Sequence, residues 1–421
     1  MLVLDENRVP EATPHRIADL VELIKRGRNH PCIFAWSMSN EEGISGSPQA
    51  ERIIKKYMSI VKKLDPDRIC FAAETNLFGE EAVEWIRKTY GIYGFNYPEA
   101  KYDNILYRQA READPDLPIM STENVSYLTT RGAYEDVPER GHCSCYGTRY
   151  DQMGKPDREL AGGAATPWQA MDFYKENPWT GGHFIWTGFD YRGETTPFFA
   201  HQTNSNYGVM DYCGYPKDTY YYYQAIFRKE PVIHIMPHWT DIKPVGEAVD
   251  VRIYTNCQEA ELLLNGRSLG RKAKEDHWIG WMVPYEPGRL EVIGYTDGQE
   301  TARDVQVTAG APVQVQLMAD RSTLRADGQD MAFVTARILD ASGNVVPYAE
   351  NTVHFQVEGD AKVIGCGNGD PGSFEDDRLP VRKAYAGLCM AMVQAGFEKG
   401  TIRVIAAAEG LQGDVLEIES E

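Results

Sequence analysis

The sequence predicts a mixed α/β domain followed by two all-β domains, and three observations lead to this fold class. Residues 1–231 alternate strand-like apolar runs with segments of helical periodicity. Beyond about Val232 the apolar segments become short and alternating, and Asn-Gly, Asp-Gly and Ser-Gly turns separate them. The stretch Ala309-Gly310-Ala311-Pro312 is typical of a linker and divides this second half in two.

The first half contains six candidate strands separated by candidate helices. Repeated βα units of this length predict a (β/α)8 TIM barrel, and six strands make it a partial barrel over residues 1–231. The expected strands are Met1–Glu6, Cys32–Asn40, Arg68–Glu74, Ile92–Tyr97, Pro118–Glu123 and Gly182–Gly188. Helices are expected around Ile17–Ile24 and over Gln49–Leu64, Glu80–Tyr90, Lys101–Ala113, Trp168–Glu176 and Tyr220–Phe227.

The second half predicts two immunoglobulin-like β-sandwiches, over residues 232–310 and 311–421. Each is near the ~100 residues typical of such a domain. The strands expected in them are Val249–Thr255, Ala260–Leu264, Leu290–Thr296, Val313–Ala319, Ala332–Asp340, Thr352–Glu358 and Thr401–Ala407. The whole chain is therefore expected to be multidomain, with α/β and all-β parts.

The composition excludes several kinds of partner. Hydrophobic residues make up 43% of the 421 residues, which is enough for more than one core. Lys and Arg number 43 against 62 Asp and Glu, so the formal net charge of −19 would repel nucleic acid or an anionic membrane. No apolar run reaches the ~20 residues that cross a bilayer. We therefore expect neither a nucleic acid nor a membrane as partner.

Polar or aromatic residues lie at or near the ends of all six strands expected in the first half. They are Asp5-Glu6, Asn40-Glu41, Glu74, Asn96-Tyr97, Glu123 and Trp186-Thr187. In a barrel of parallel strands the active site lies at the C-terminal ends, so these residues would share one bowl. Cleavage of a glycosidic bond needs one carboxyl to protonate the departing oxygen and a second to attack, and sugar rings stack on aromatic faces. This set of side chains favours carbohydrate chemistry.

Two motifs resemble the catalytic motifs of glycoside hydrolase family 2. The segment Arg28–Glu41, which ends in Ser-Met-Ser-Asn-Glu, is similar to the acid/base signature at the end of the family's fourth barrel strand. The resemblance implies that Glu41 is the acid/base and that Asn40 hydrogen-bonds the 2-hydroxyl of the sugar. The segment Leu117–Glu123 is similar to the family's seventh-strand motif, which implies that Glu123 is the nucleophile.

A third motif extends the resemblance to the β-galactosidase-like members of the family. It comprises Gly182–Glu194 and Gly214–Asp218 and resembles their eighth strand and the loop after it, with Trp186 as the floor of the sugar pocket. Asn96 and Tyr97 are expected to line the same pocket, although structural hydrogen bonding is an equal alternative for both. The motif order implies that the six strands are barrel strands three to eight. The first two strands and the family's N-terminal domains are therefore expected to be absent.

The resemblance implies a retaining β-glycosidase that acts on an oligosaccharide or glycan by double displacement. A β-galactosidase is favoured, because glucuronidases usually recognise the sugar carboxylate with an Asn-x-Lys motif that this sequence lacks. β-Glucuronides and β-mannosides stay open as alternative substrates, since Glu194-Thr195-Thr196-Pro197 departs from the Glu-Pro-Thr-Pro of galactosidase-like members. A second hypothesis is a catalytically incompetent fragment that serves only as a carbohydrate-binding or structural module.

The remaining expectations concern cofactors, assembly and location. No cofactor is required, and no metal is indicated, although Gly367-Asn368-Gly369-Asp370 is compatible with either a calcium loop or tight turns. Arg131, in a Thr-Arg-Gly similar to the Ser-Arg-Gly after the family's nucleophile, has loop anchoring as its plainer interpretation. The resemblance leaves a homo-oligomer open. It suggests a periplasmic or extracellular location in a bacterium.

Overall fold

The computed structural model describes residues 2–75, 77, 79–100, 104–156 and 164–421. The chain divides into two compact units. The first comprises Met1–Tyr127 and Asp157–Thr187, and the second comprises Leu128–Pro156 and Gly188–Glu421. The domain boundaries expected after residues 231 and 310 stay predictions. Within the described residues, no helix is long and apolar enough to span a bilayer.

The first unit is built on a parallel sheet with helices between its strands. Its elements are β1 (Val3–Glu6), α1 (Pro14–Gly27), β2 (Ile33–Asn40), α2 (Pro48–Leu64), β3 (Ile69–Glu74), α3 (Glu80–Thr89), β4 (Tyr93–Asn96), α4 (Ile105–Ala113), β5 (Ile119–Val125), α5 (Pro167–Glu176), β6 (Thr180–Gly181) and β7 (Ile185–Trp186). The sheet order β1-β2-β3-β4-β5-β6 follows the sequence, as repeated βα units require. Along the described chain the two edge strands β1 and β6 do not pair with each other, so the sheet is open.

Three helices of this unit begin with the same local signal, a hydroxyl residue followed by proline. The side chains of Thr13 and Ser47 accept hydrogen bonds from backbone N–H groups in the first turns of α1 and α2. Thr166 and Gln169 form a capping box at the start of α5. Such caps satisfy N–H groups that have no partner within the helix. The predicted helix Lys101–Ala113 is seen as α4, and its first three residues lie outside the described residues.

The predicted continuous strand Gly182–Gly188 was wrong. Two short strands, β6 and β7, replace it, and both pair with β5. The interruption falls at Gly182, which has a φ of +78°. A Cβ at this position would lie 2.6 Å from the carbonyl oxygen of Ser121. The chain therefore bends where only glycine fits against β5, and β7 resumes beside its C-terminal end.

The second unit contains two β-sandwiches and the helix α6 (Asp218–Phe227). Its strands are β8 (Ile233–Met236), β9 (Ala248–Thr255), β10 (Glu259–Leu264), β11 (Arg267–Ala273), β12 (Ile279–Pro284), β13 (Arg289–Thr296), β14 (Gln299–Val307), β15 (Pro312–Ala319), β16 (Thr323–Leu324), β17 (Met331–Asp340), β18 (Thr352–Glu358), β19 (Ala361–Gly367), β20 (Val381–Lys383), β21 (Leu388–Ala395), β22 (Gly400–Ala408) and β23 (Asp414–Ser420). All seven strands predicted in this half are present, within one residue at each end.

Each sandwich consists of two sheets around one apolar core. The sheets β11-β10-β13-β14 and β12-β9-β8 form the first, and its core includes the buried Trp239, Trp281 and Tyr285. The sheets β15-β17-β21-β19 and β16-β23-β22-β18-β20 form the second. Alternating burial along these strands explains the period-two pattern of the sequence. The predicted fold class, a partial parallel barrel followed by two β-sandwiches, is confirmed.

Candidate active site

The polar residues predicted for the site lie at the C-terminal ends of β2, β4 and β5. Strand β4 pairs with β5 so that Asn96 lies opposite Glu123. Glu41 directly follows β2 with a φ of +54°, and its N–H donates a 2.9 Å hydrogen bond to the carbonyl of Ala73 on β3. The parallel sheet therefore brings the two glutamates to one edge, as the sequence predicted.

Asn96 connects Glu41 to the strands on either side. Its Nδ2 donates to Oε1 of Glu41 at 2.8 Å and to Oδ1 of Asn40 at 3.1 Å. Its own Oδ1 accepts a 2.5 Å hydrogen bond from the hydroxyl of Thr122. That bond fixes which end of the amide faces Glu41, so the carboxyl of Glu41 has a donor of defined orientation. Asn96 and Asn40 thus both border the candidate acid/base.

Tyr97 has the corresponding contact with Glu123. Its hydroxyl donates to Oε2 of Glu123 at 2.7 Å and accepts a 2.9 Å hydrogen bond from the hydroxyl of Ser126. Tyr97 has a φ of +57°, and its N–H donates to the carbonyl of Glu123 at 2.7 Å. Burial and the neighbouring Glu123 raise the pKa of Tyr97 above its usual range, so its phenol stays a donor.

The electrostatics of Glu123 reflect burial opposed by hydrogen bonding. Desolvation raises the pKa of Glu123 to about 7, and the negative charges of Glu41 and Glu6 act in the same direction. The hydrogen bond from Tyr97, and a smaller contribution from Asn96, act in the opposite direction because they stabilise the ionised carboxylate. Both catalytic candidates therefore interact with the Asn96-Tyr97 pair and with each other.

Two further carboxyl groups border this cluster. Glu6, at the end of β1, accepts a 2.9 Å hydrogen bond from the hydroxyl of Ser37. Glu74, at the end of β3, is fully buried and accepts a 2.9 Å hydrogen bond from the hydroxyl of Ser45. Burial raises the pKa of Glu74 to about 7. Its burial and its hydrogen bond with Ser45 favour a structural role for Glu74.

Trp186 lies in β7, where it is paired with Val125 at the end of β5. Its side chain is half-buried, and the Trp186–Thr187 peptide bond is cis. Trp186 therefore belongs to the same unit and the same edge of the sheet as Glu123. Its role as the floor of a sugar pocket stays a prediction, as do the sugar contacts of Asn40, Asn96 and Tyr97.

Sequence reasoning missed three buried polar residues near the two glutamates: Thr122, Ser126 and Glu99. Thr122 precedes Glu123 and donates to Asn96, and Ser126, three residues after Glu123, donates to the Tyr97 hydroxyl. Glu99 follows Tyr97 by two residues and is fully buried, and it accepts a 2.7 Å hydrogen bond from the N–H of Val125. The sequence did contain a signal for Glu99. This carboxyl residue directly follows Asn-Tyr-Pro at the C-terminal end of a strand, where the active site of a parallel barrel lies.

The part of the third motif that follows Thr187 has a structural explanation within the second unit. The fully buried ammonium of Lys217 donates to Asp190 at 2.9 Å and to the carbonyl oxygens of Thr129 and Asn206. The two parts of the motif, Gly182–Glu194 and Gly214–Asp218, are thus joined by one buried ion pair. A charge in this position must be paired and fully hydrogen-bonded to be tolerated, which accounts for Asp and Lys there.

Arg131 anchors loops of the second unit. It is nearly fully buried, and its Nε donates to Asp211 at 2.7 Å. Its Nη2 donates to the carbonyl oxygens of Asn368 and Tyr385. The plainer interpretation of Arg131, loop anchoring, therefore agrees with its contacts.

The loop Gly367–Asp370, for which the sequence allowed either calcium binding or tight turns, makes the hydrogen bonds of turns. Oδ1 of Asn368 accepts from the N–H of Asp370, and Oδ1 of Asp370 accepts from the N–H of Gly372. Across the described ranges, no group of three or more His, Cys, Asp or Glu side chains is arranged to hold a metal ion. The expectation that no cofactor is required stays a prediction.

Three family models match the chain. The model described as the TIM barrel domain of glycosyl hydrolases family 2 matches residues 4–210. The model described as glycoside hydrolase family 2 C-terminal domain 5 matches residues 315–417. A domain of unknown function matches residues 246–302, which lie in the first sandwich.

Relatives and solved structures point the same way. The chain is 33% identical to beta-galactosidase BoGH2A of Bacteroides ovatus, over 96% of this chain and 51% of the relative. It is 23% identical to a beta-glucuronidase of Formosa agariphila, over 93% of this chain and 38% of the relative. The structure of a beta-glycosidase from Bacteroides vulgatus superposes with a TM-score of 0.84 at 26% identity, over 100% of this chain and 56% of that one. The chain thus spans about half the length, or less, of these relatives.

Proposed function

The chain belongs to glycoside hydrolase family 2, and we propose that it carries the catalytic residues of a retaining β-glycosidase that hydrolyses terminal β-galactosides. The observation that carries this proposal is that two adjacent residues, Asn96 and Tyr97, each donate a hydrogen bond to one of the two carboxyl groups. Asn96 donates to Glu41, and Tyr97 donates to Glu123. Glycoside hydrolysis requires two carboxyl groups in distinct environments, and these two differ in their hydrogen-bond partners.

The first step is the transfer of the sugar to the protein. Glu41 donates its proton to the glycosidic oxygen while the ionised carboxylate of Glu123 attacks the anomeric carbon. The leaving alcohol departs, and a covalent glycosyl ester forms on Glu123. The Tyr97 hydroxyl holds Oε2 of Glu123, and this hydrogen bond orients the carboxylate for attack.

The second step is hydrolysis of the ester. Glu41, now ionised, takes a proton from water, and the resulting hydroxide attacks the anomeric carbon and releases Glu123. Two displacements at one carbon restore the starting configuration. A retaining enzyme keeps its carboxyl groups ~5–5.5 Å apart, whereas an inverting enzyme needs ~6.5–9.5 Å. The strand register that places Asn96, the donor to Glu41, directly opposite Glu123 supports the shorter separation.

The sugar specificity rests on the sequence and on the relatives. The sequence lacks the Asn-x-Lys motif by which glucuronidases usually recognise a sugar carboxylate. The relative at 33% identity is named a beta-galactosidase. Relatives named beta-glucuronidases also match, so β-glucuronides are the alternative substrate class to compare.

The test is a panel of 4-nitrophenyl glycosides with the purified chain. We expect release of nitrophenol from the β-galactoside at a higher kcat/KM than from the β-glucuronide or the β-mannoside. The Glu123→Gln variant of the same chain is the control, because it separates turnover by this site from a contaminating hydrolase. A preference for the β-glucuronide would change the proposed substrate class but would leave the proposed mechanism unchanged.

The panel also decides between catalysis and a binding role. If the chain releases nitrophenol from none of the glycosides but binds galactose or a galactoside in calorimetry, it acts as a carbohydrate-binding module. Hydrolysis that disappears in Glu123→Gln supports the enzyme. Hydrolysis that survives in Glu123→Gln refutes the assignment of the nucleophile.

A further inference from the structure

The chain directly after Glu123 forms a turn of unusual conformation. Val125 has a φ of +76° and Ser126 a φ of +51°, and both side chains are buried. The N–H of Ser126 donates to the carbonyl of Asn124 at 3.1 Å, which closes a three-residue turn centred on Val125. A positive φ is rare for a β-branched residue, and turns of this hand are strained. The surrounding contacts must therefore hold the turn in place.

Glu99 supplies one of these contacts. Its carboxyl is fully buried, and Oε1 accepts a 2.7 Å hydrogen bond from the N–H of Val125. The carbonyl of Val125 accepts hydrogen bonds from the N–H groups of Ala164 and Ala165. Both backbone groups of the strained residue are therefore fixed. In the part of the chain that the structure describes, Oε2 of Glu99 has no hydrogen-bond partner, whereas Oε1 accepts from the N–H of Val125.

The turn determines the position of a hydroxyl that reaches Glu123. Ser126 follows Val125, and its hydroxyl donates to the Tyr97 hydroxyl at 2.9 Å. The Tyr97 hydroxyl donates to Glu123 at 2.7 Å. Tyr97 and Glu99 belong to the same loop after β4, so Glu99 joins this loop to the turn at the end of β5. We propose that Glu99 is a positioning residue, which holds Val125 in its turn so that Ser126 and Tyr97 hydrogen-bond in sequence to Glu123.

The chemical consequence concerns the strength of the last hydrogen bond. A donor to the Tyr97 oxygen polarises its O–H group, and the polarised O–H stabilises the ionised form of Glu123 more strongly. Loss of the Glu99 contact lets the turn relax and moves Ser126 away from Tyr97. Glu123 then binds its proton more tightly. This role rests on the proposed function, because it matters for catalysis only if Glu123 is the nucleophile.

A residue that merely supported the fold would behave differently. Its removal would lower the stability of the first unit and leave the titration of Glu123 unchanged. The titration of Glu123 is therefore the decisive measurement, and it can be made without turnover. Isotope labelling of glutamate side-chain carboxyl carbons in the full chain, followed by NMR, gives it directly, and the signal is assigned by its absence in Glu123→Gln.

Two substitutions at Glu99 are compared with one control. Glu99→Leu removes the acceptor of the Val125 N–H, whereas Glu99→Gln keeps an amide oxygen there. The control is Tyr107→Phe, which removes a buried hydroxyl of the same unit that contacts Thr180 and Trp179. We expect the pH midpoint of the Glu123 titration to rise by about half a pH unit or more in Glu99→Leu and by less in Glu99→Gln. It should not change in the control.

An unchanged midpoint in a folded Glu99→Leu chain overturns the proposal. If Glu99→Leu does not fold, Ser126→Ala and Glu99→Gln decide. In that case Ser126→Ala must raise the titration midpoint of Glu123, and Glu99→Gln must raise it by less. Any other result means that the proposal is wrong. Failure of the proposed function would be seen separately, as an absence of hydrolysis by the unsubstituted chain. The titration of Glu123 tests the role of Glu99 whether or not the chain hydrolyses glycosides.

Discussion

The hydroxyl of Tyr97 donates a 2.7 Å hydrogen bond to Oε2 of Glu123, and the two residues also share a backbone hydrogen bond of the same length. The side chain and the main chain of Tyr97 are thus both fixed to the candidate nucleophile. The adjacent residue, Asn96, donates to Glu41. One dipeptide at the end of β4 therefore orients both carboxyl groups, and changes in it should separate their roles.

The substitution Tyr97→Phe should reduce kcat/KM roughly 10- to 100-fold, since a hydrogen bond to a charged group contributes about 1.5–3 kcal/mol. The pKa of Glu123 should rise in this variant, because the Tyr97 hydroxyl stabilises its ionised form. Steady-state kinetics across a pH series measure both effects. Tyr107→Phe is the matched control, and an equal loss in the two variants would show that the effect is not specific to Tyr97.

The pH dependence of the unsubstituted chain should show an acid limb near pH 7. As the proposed nucleophile, Glu123 can attack only when ionised, and burial raises its pKa to about 7. The rate therefore falls as the pH drops below this value. The pH profile of kcat/KM reports ionisation in the free protein, so this limb is the titration of Glu123 before substrate binds. An acid limb between about pH 4 and 5 would contradict the buried environment of Glu123.

The two glutamates should respond differently to amide substitution. Glu123→Gln removes the nucleophile and should abolish turnover of every glycoside. Glu41→Gln removes proton donation, which matters little when the leaving group is a weak base. We therefore expect Glu41→Gln to retain more activity on a dinitrophenyl glycoside than on an alkyl glycoside. Equal losses on both substrates would argue against Glu41 as the acid.

The sequence predicted most of the sheet and the position of Glu41 and Glu123 at strand ends, because both features leave local signals. Apolar strands ending in Asn40-Glu41 and in Glu123 were visible without the fold. The contacts of Asn96 and Tyr97 could not be seen in the sequence, because they depend on the strand register that places Asn96 opposite Glu123. The predicted strand Gly182–Gly188 was wrong in its continuity, since the approach of Gly182 to Ser121 exists only in the folded sheet. Sequence patterns fix periodicity and strand ends, whereas hydrogen-bond partners follow from tertiary packing.

The substitution Glu74→Gln should make the first unit more stable at high pH. Burial raises the pKa of Glu74 in the folded chain to about 7, above its unfolded value of 4.5. The folded state then binds more protons than the unfolded state between these values, so stability falls as the pH rises through this window. Above about pH 7 the full penalty applies, and Gln, which cannot ionise, avoids it while its Oε1 still accepts from Ser45.

The gain of Glu74→Gln should reach roughly 2–3 kcal/mol at about pH 8 and shrink towards pH 5. Urea unfolding of the variant and the unsubstituted chain at both pH values measures it. Glu81→Gln, at an exposed position of α3, is the control and should change little at either pH. A gain that does not depend on pH would mean that Glu74 is ionised in the folded chain throughout.

The substitution Arg131→Met should strongly destabilise the second unit. Arg131 is nearly fully buried, and its guanidinium lies between the rings of Tyr215 and Tyr385, 5.0 and 5.2 Å from their centroids. Met fills part of the volume but leaves the carboxylate of Asp211 and two backbone carbonyl oxygens without this donor. Removal of one partner of a buried ion pair costs about 3–5 kcal/mol, because the remaining charge stays buried.

The control for Arg131→Met is Arg149→Met in the same unit. The side chain of Arg149 is 80% exposed, and its ion pair with Asp136 is 3.8 Å long. Exposed pairs contribute about 0–1 kcal/mol, so Arg149→Met should unfold in urea almost as the unsubstituted chain does. Arg131→Lys should fall between the two, because it keeps the charge but loses the planar fork that reaches Asp211 and both carbonyl groups at once. Equal midpoints for Arg131→Met and Arg149→Met would show that the loops held by Arg131 do not contribute to the cooperative stability of the second unit.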